Sequence, residues 1–321
     1  MQIDLHADTP LLLRWAGYRF TRRHRAYLPA GAFFSHVDLP RMEAAGLDAQ
    51  LFGLVALPIE PDPFASVNAM IDRVEAAAAE SRGGFRLVRS AGEVRAARAA
   101  GARAGLLSIE GVHPLRGDLS RVDALAARGV ISFGLAHFHA NEACRPARGL
   151  GRHDASGLTD FGRELVAHLG ARHLLVDLTH VNRAGYFEAL ARAPGPVFVS
   201  HTGACGAHPH WRNLDDEQIR ALAERGGIAG VIFARGFLGG KDLSAVVRHV
   251  QHLIKVGGES IAALGSDFDG FVVPVRGLRD VTGLPALREA LARAALSPRV
   301  IDGVMGDNAL RFLEHALGGQ P

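Results

Sequence analysis

The chain has 321 residues, of which 48% are apolar, enough for a large buried core and for an α/β barrel. With 36 Lys and Arg against 33 Asp and Glu the formal charge is only +3, and no basic run marks a nucleic-acid or anionic-membrane surface. Two cysteines, Cys144 and Cys205, are too few to staple such a chain, which points to a reducing cytoplasmic setting; the apolar stretches fall well short of the ~20 residues that cross a bilayer.

The N-terminal MQIDLHADTP enters a strand at once, with no charged segment and apolar stretch of the kind that directs secretion. In chain order, apolar runs predict strands at 2–6, 49–57, 104–109, 130–136, 173–178, 196–200, 228–233 and 261–266. Several are continuous rather than alternating, the pattern of strands covered on both faces. Helix-period segments lie between them: DRVEAAAAESRG from Asp72, TDFGRELVAHLG from Thr159 and DDEQIRALAERGG from Asp215. The last opens on acids and closes on Gly226 and Gly227. Strands and helices in alternation predict a (β/α)8 TIM barrel, one domain over residues 1–321, with its active site at the C-terminal ends of the strands. An open doubly wound sheet would need a Gly-rich phosphate loop after the first strand, where HADTPLLLRW has no glycine. Residues 17–37 and 138–157 exceed what a minimal barrel needs and are expected to be rim loops that shape substrate choice.

The ends of these runs carry the chemistry. His6 and Asp8 in IDLHAD are two apart, so both side chains face the barrel interior. Such a pair can hold a divalent cation or close as a buried hydrogen bond. Glu110 ends AGLLSIE, where a buried carboxylate needs a partner or a metal. Two-metal barrels commonly bridge their ions with a carboxylated lysine, but the only lysines, Lys241 and Lys255, do not end strands. Glu110 is then the natural bridge. His180 in LLVDLTH and His201 in PVFVSH are imidazoles at successive strand ends, suited to a second zinc-like ion. His137 closes ISFGLAH. Asp267 and Asp269 flank Phe268 in GSDFDG; one is expected to carry a proton and the other to hold the loop, and an Asx turn suits Asp269 better. His113, His139, His153, His208 and His210 read as loop histidines, Cys205 has no nucleophile pattern, and no G-x-S-x-G elbow supports serine chemistry. A hydrolytic metal site at one rim is the expectation.

Taken in order, DLHADTP, LLSIEG, GLAH, GLTDFGRELV, VDLTHV, VSHTGA, RNLDDEQIRALAERGG, GSDFDG and GVMGDNALRFLE span almost the whole chain. In these segments the sequence resembles the membrane dipeptidase family (renal dipeptidase-like, peptidase family M19) of the amidohydrolase superfamily. The resemblance implies two zinc ions, one on His6 and Asp8 and one on His180 and His201, bridged by Glu110. It implies that His137 polarises the scissile carbonyl or stabilises the tetrahedral oxyanion, that Arg212 pairs with the substrate's terminal carboxylate, and that Asp267 shuttles a proton. The implied activity is hydrolysis of small L,L or L,D dipeptides by a metal-bridging hydroxide. An amidase, lactamase or deacylase acting on a specialised small molecule is the alternative, and a non-catalytic binding barrel the third reading. A homodimer is the family-level expectation. Two departures stand out: Phe237, with Arg235 beside it, occupies the place of a tyrosine that often binds the substrate carboxylate, and the loop after His137, FHANEACRPARG, lacks the usual tryptophan.

Overall fold

The Val-, Ile- and Leu-rich runs form parallel strands, as a sheet covered on both faces requires. The computed structural model describes residues 1–24, 33–57, 59–151 and 156–318. Its strands are β1 (Ile3–Ala7), β2 (Ala49–Leu54), β3 (Phe85–Leu87), β4 (Arg103–Glu110), β5 (Val130–Gly134), β6 (Leu175–Asp177), β7 (Phe198–Thr202), β8 (Ile228–Val231) and β9 (Ala262–Leu264). β1 pairs with β2 and β9, β2 pairs with β4, and β4 to β9 follow in sequence, so every strand but β3 belongs to a closed parallel barrel. The eight predicted runs supply those eight barrel strands.

β3 is the element that the sequence does not announce. It pairs with Arg103–Gly105 at the start of β4, and β5 takes over that edge from Leu107 onward. Three residues with one exposed position leave no periodicity to detect. Strand ends also fall earlier than the apolar runs suggest. β6 stops at Asp177 and β9 at Leu264, so His180 and Asp267 sit in the loops just beyond.

Local chemistry sets the helices. Thr159 caps the helix Asp160–Ala171 by accepting from the Gly162 N–H. Asp215 and Gln218 close a reciprocal capping box on Asp216–Glu224, and Gly226 follows at φ +67°. The segment predicted from Asp72 belongs to a longer helix, Pro63–Glu80, opened by an Asp62 cap and a first-turn proline. No helix among the described residues is long and apolar enough to cross a membrane.

The core has two parts. One lies between the strands and the surrounding helices. The other fills the lower barrel with Ile3, Leu5, Leu51, Leu106, Ile131 and Phe198, onto which Phe312 and Leu313 of the C-terminal helix Asn308–Leu317 pack. The Phe198 and Phe312 rings are 5.5 Å apart, closing the base. The metal-type side chains His6, Glu110 and His201 lie at the opposite, upper end, at the last or next-to-last residue of their strands. The second rim loop is pinned there by bridges His139–Leu150 and Pro146–Val181. Residues 25–32 and 152–155, and with them His153, lie outside the described residues.

Candidate active site

Glu110, the last residue of β4, stands at the centre of the upper barrel. Its Oε1 lies 3.1 Å from His180 Nε2, 3.6 Å from His201 Nε2, and 3.7 Å from both His6 Nε2 and His137 Nε2. His6 Nε2 is in turn 3.4 Å from Asp8 Oδ1, and the His6 and His201 rings stack at 3.9 Å. Three donor groups result: His6, Asp8 and Glu110; Glu110, His180 and His201; and His6, His201 and Asp267. All of these side chains are buried. Six residues from five strands or their following loops, scattered through the sequence, thus meet in one cluster, with His137 against it.

Room for the cluster comes from glycine. A Cβ at Gly53 on β2 would lie 2.4 Å from Asp8 Oδ1, and one at Gly270 would lie 2.3 Å from Asp267 Oδ1. Two loop residues adopt left-handed backbone, His180 at φ +67° and Asp267 at φ +60°, an arrangement unfavourable enough to need external support. Buried carboxylates outside the cluster give it. Asp177 Oδ1 accepts from the Thr179 N–H, the Thr179 hydroxyl and the Ser200 N–H, which fastens the backbone beside both His180 and His201. Asp4 takes the Ser266 N–H at 2.8 Å and its hydroxyl at 2.6 Å, holding the loop before Asp267. Asp269 accepts from Thr9 Oγ1 at 2.7 Å and from the His36 N–H at 2.8 Å. Asp269 therefore secures the loop while Asp267 faces the cluster, a division that strand alternation alone left open.

The electrostatics are those of a site built around cations. Burial alone would lower the His6 pKa, but Asp8, Glu110 and Asp267 hold it at about 10. Burial and then the Asp8 charge push Glu110 well above the usual carboxylate range and Asp267 up to about 8. His180 and His201 are driven well below 6.5 by burial, with Arg212 and His6 adding to it, so both are neutral donors. Both ring nitrogens of His6, Asp8 Oδ1 and Glu110 Oε2 are buried without a hydrogen-bond partner. Orphaned imidazole and carboxylate atoms at this density fit divalent metal, and the mixed N/O set suits zinc.

The model of the membrane dipeptidase family (peptidase family M19) matches residues 1–317. The chain belongs to that family. A protein of Klebsiella pneumoniae described as an uncharacterized protein in the pqqA 5' region is 34% identical over 74% of this chain and 91% of its own. The solved structure of a metallo-peptidase of family M19, dipeptidase AC, superposes with a TM-score of 0.88 at 29% identity, covering 99% of both chains. A metallo-peptidase from Rhodobacter sphaeroides, solved with a phosphinate mimic of the dipeptide L-Ala-D-Ala, gives a TM-score of 0.88 at 27% identity, covering 98% of this chain and 99% of that one. This M19 barrel is accordingly a metallo-dipeptidase, a hydrolase.

Around the cluster this dipeptidase has its own rim. His137 stands edge-on to His180 at 4.8 Å; burial, then His113 and His139, lower its pKa to about 3, so the ring is neutral. Arg212 is buried after β7 and donates from Nη2 to the His201 carbonyl at 2.7 Å. Phe138 and Trp211 are part-exposed at a ring distance of 6.4 Å. Phe237 reaches this wall only through other rings, 6.0 Å from Trp211 and 5.0 Å from His210, and Arg235 is exposed. Tryptophan is absent from the loop after His137, but Trp211, from the neighbouring loop, faces Phe138 of that loop; linear reading gives no signal for that pairing.

The Arg212 loop hangs from one buried histidine. His249 Nδ1 accepts the Ala204 N–H at 2.9 Å, and its Nε2–H donates to the Leu238 carbonyl at 3.2 Å. Accepting at Nδ1 needs the neutral ring, because protonation there replaces the acceptor with a second donor. Burial lowers the His249 pKa from 6.5 to about 4. The unfolded chain therefore takes up a proton below pH 6.5 while the native state does not, and stability falls from there toward pH 4 by about 3 kcal/mol from this group. His249→Gln keeps one acceptor and one donor but does not titrate. Wild type is expected to melt higher at pH 7, with the gap narrowing by pH 4.5, as thermal unfolding at both pH values would record. A constant gap would remove His249 from the acid response.

Proposed function

We propose that this dipeptidase works with two zinc ions, one on His6 and Asp8 and the other on His180 and His201, with Glu110 between them. The observation that carries this reading is the Glu110 carboxylate with four imidazole nitrogens within 3.7 Å, from His6 of one proposed ligand pair, His180 and His201 of the other, and His137. When bound, the zinc pair supplies Lewis acidity and a water acidified enough to be nucleophilic at neutral pH. The protein's own groups do the rest. Arg212 receives the substrate's terminal carboxylate with a guanidinium fork. His137, neutral and buried beside the cluster, donates an N–H to the scissile carbonyl oxygen as charge develops there. Asp267 takes a proton on its carboxylate and returns it to the leaving amine. Its raised pKa and position beside His6, Asp8 and Arg212 suit it to that exchange.

The substrates on this reading are short dipeptides with L,L or L,D configuration; the phosphinate mimic bound by the Rhodobacter sphaeroides relative supports the second class. A cytoplasmic setting accords with the free thiols of Cys144 and Cys205. Phe237, without a hydroxyl, favours a narrower second reading, in which the same metals serve an amide, lactam or acyl substrate. The test is elemental analysis together with hydrolysis of L,L and L,D dipeptides by the zinc-loaded protein. Two zinc per chain with cleavage is the expected result; full loading without cleavage of any dipeptide moves the activity to the second reading.

Arg212 has its own signature. Arg212→Met should raise KM about 10- to 100-fold, the worth of hydrogen bonds to a charged group, with a smaller change in kcat. Wild type should also reject dipeptide C-terminal amides, and the variant should lose that discrimination. Equal handling of acids and amides by wild type would contradict the assignment.

A further inference from the structure

Beside Arg212 a cavity of about 600 Å³ runs between β6, β7 and the helices Arg183–Arg192 and Asp216–Glu224. It shares His180 and Arg212 with the site, and Trp211 forms part of its wall. Much of its polar lining is already committed, the buried Asn213 Oδ1 excepted. Asp215 accepts from the Gln218 N–H at 2.8 Å and from Arg183 Nε at 3.0 Å, and Arg183 also pairs with Glu217. Tyr186 donates its hydroxyl to the Gln218 carbonyl, Thr179 to Asp177, and the Cys205 thiol to the Asn213 carbonyl. What the cavity offers a guest is apolar contact with Leu178, Val181, Phe187, Val199, Leu214 and Trp211.

We infer that this cavity is the pocket for the side chain of the substrate's C-terminal residue, and that it selects a bulky uncharged one such as Leu or Phe. The inference rests on the dipeptidase reading above, in which Arg212 holds the terminal carboxylate. The C-terminal side chain leaves the same α-carbon as that carboxylate, so it must enter space next to Arg212. An apolar side chain gains burial there, whereas a charged one loses its hydration against a lining whose Asp215 and Arg183 are already paired with each other. Arg183, the cation that lines the far part, is held by two carboxylates and adds no attraction for an acidic residue.

The test compares kcat/KM for Ala-Leu, Ala-Phe, Ala-Gly and Ala-Asp, with the second residue in each configuration, on the zinc-loaded enzyme. Wild type should prefer Ala-Leu and Ala-Phe over Ala-Gly and Ala-Asp by about tenfold or more. Ala184 lines the cavity from an exposed helix position, so Ala184→Phe fills it from the side remote from the metals. This variant should lower the Leu-to-Gly ratio about tenfold, and Phe187→Ala should shift preference toward the larger Phe. Wild-type rates independent of the second residue, or ratios unmoved by both substitutions, would overturn the pocket while leaving the dipeptidase reading intact. Failure of the zinc-loaded wild type to cleave any dipeptide would overturn the reading underneath it.

Discussion

Asp267→Asn is expected to keep both metals and lose turnover by about 10²- to 10⁴-fold, the range that general acid–base groups contribute. Asn has nearly the shape of Asp and is among the few residues that tolerate the left-handed backbone, here φ +60°, so the loop should hold. The carboxamide cannot carry a proton between water and amine. Asp267 also falls within ligand distance of His6 and His201, which makes metal content the deciding companion measurement. Two metals with little turnover assign the residue to proton transfer. Loss of one metal would make it a ligand, and wild-type turnover would remove it from the chemistry.

Glu110→Gln should abolish tight binding of at least one metal and bring activity below detection, yet the metal-free variant should melt above metal-free wild type. Glu110 is buried, and the Asp8 and Asp267 charges add to the cost of its own, against relief from His6 and Arg212. Substituting a neutral amide relieves that repulsion, with a gain of about 1–4 kcal/mol on the scale of buried-charge replacements. Because the native carboxyl titrates well above 4.5, the native state holds its proton longer than the unfolded chain does. Metal-free wild type therefore loses stability as pH rises above 4.5, and the advantage of Gln grows in the same direction. Excess zinc should reverse the order, since a ligand at 1,000 times its Kd adds about 4 kcal/mol to the protein that binds it. Melting curves with and without zinc at pH 5 and pH 8 would check each sign. Tight zinc binding by the variant would place the bridge elsewhere.

Barrel and cluster were legible in the sequence for the same reason. A parallel strand buried on both faces leaves a continuous apolar run, and a His, Asp or Glu at its end stands out against that background, as His6, Glu110 and His201 do. β3 left no trace because it is short and half solvated. Asp4 and Asp177 were opaque for a different reason: each lies inside an apolar run two or three residues before a more conspicuous group, and its partners include the Ser266 and Ser200 N–H groups, distant in sequence. Ranking Asp267 against Asp269 required three-dimensional contacts, since both share one strand phase and one left-handed conformation. The cavity beside Arg212 was equally invisible, because it is empty space enclosed by segments from residues 146 to 218.

Phe312 and Leu313 pack against the lower barrel and close its base, which leaves the upper rim as the approach to the cluster among the described residues. Substrate and both product amino acids must use that opening in turn, so departure of one product gates the arrival of the next dipeptide. On the role proposed for Arg212, a free amino acid retains the carboxylate that this residue would receive. Inhibition by free amino acids, competitive with the dipeptide, is the kinetic signature expected of such a one-ended approach.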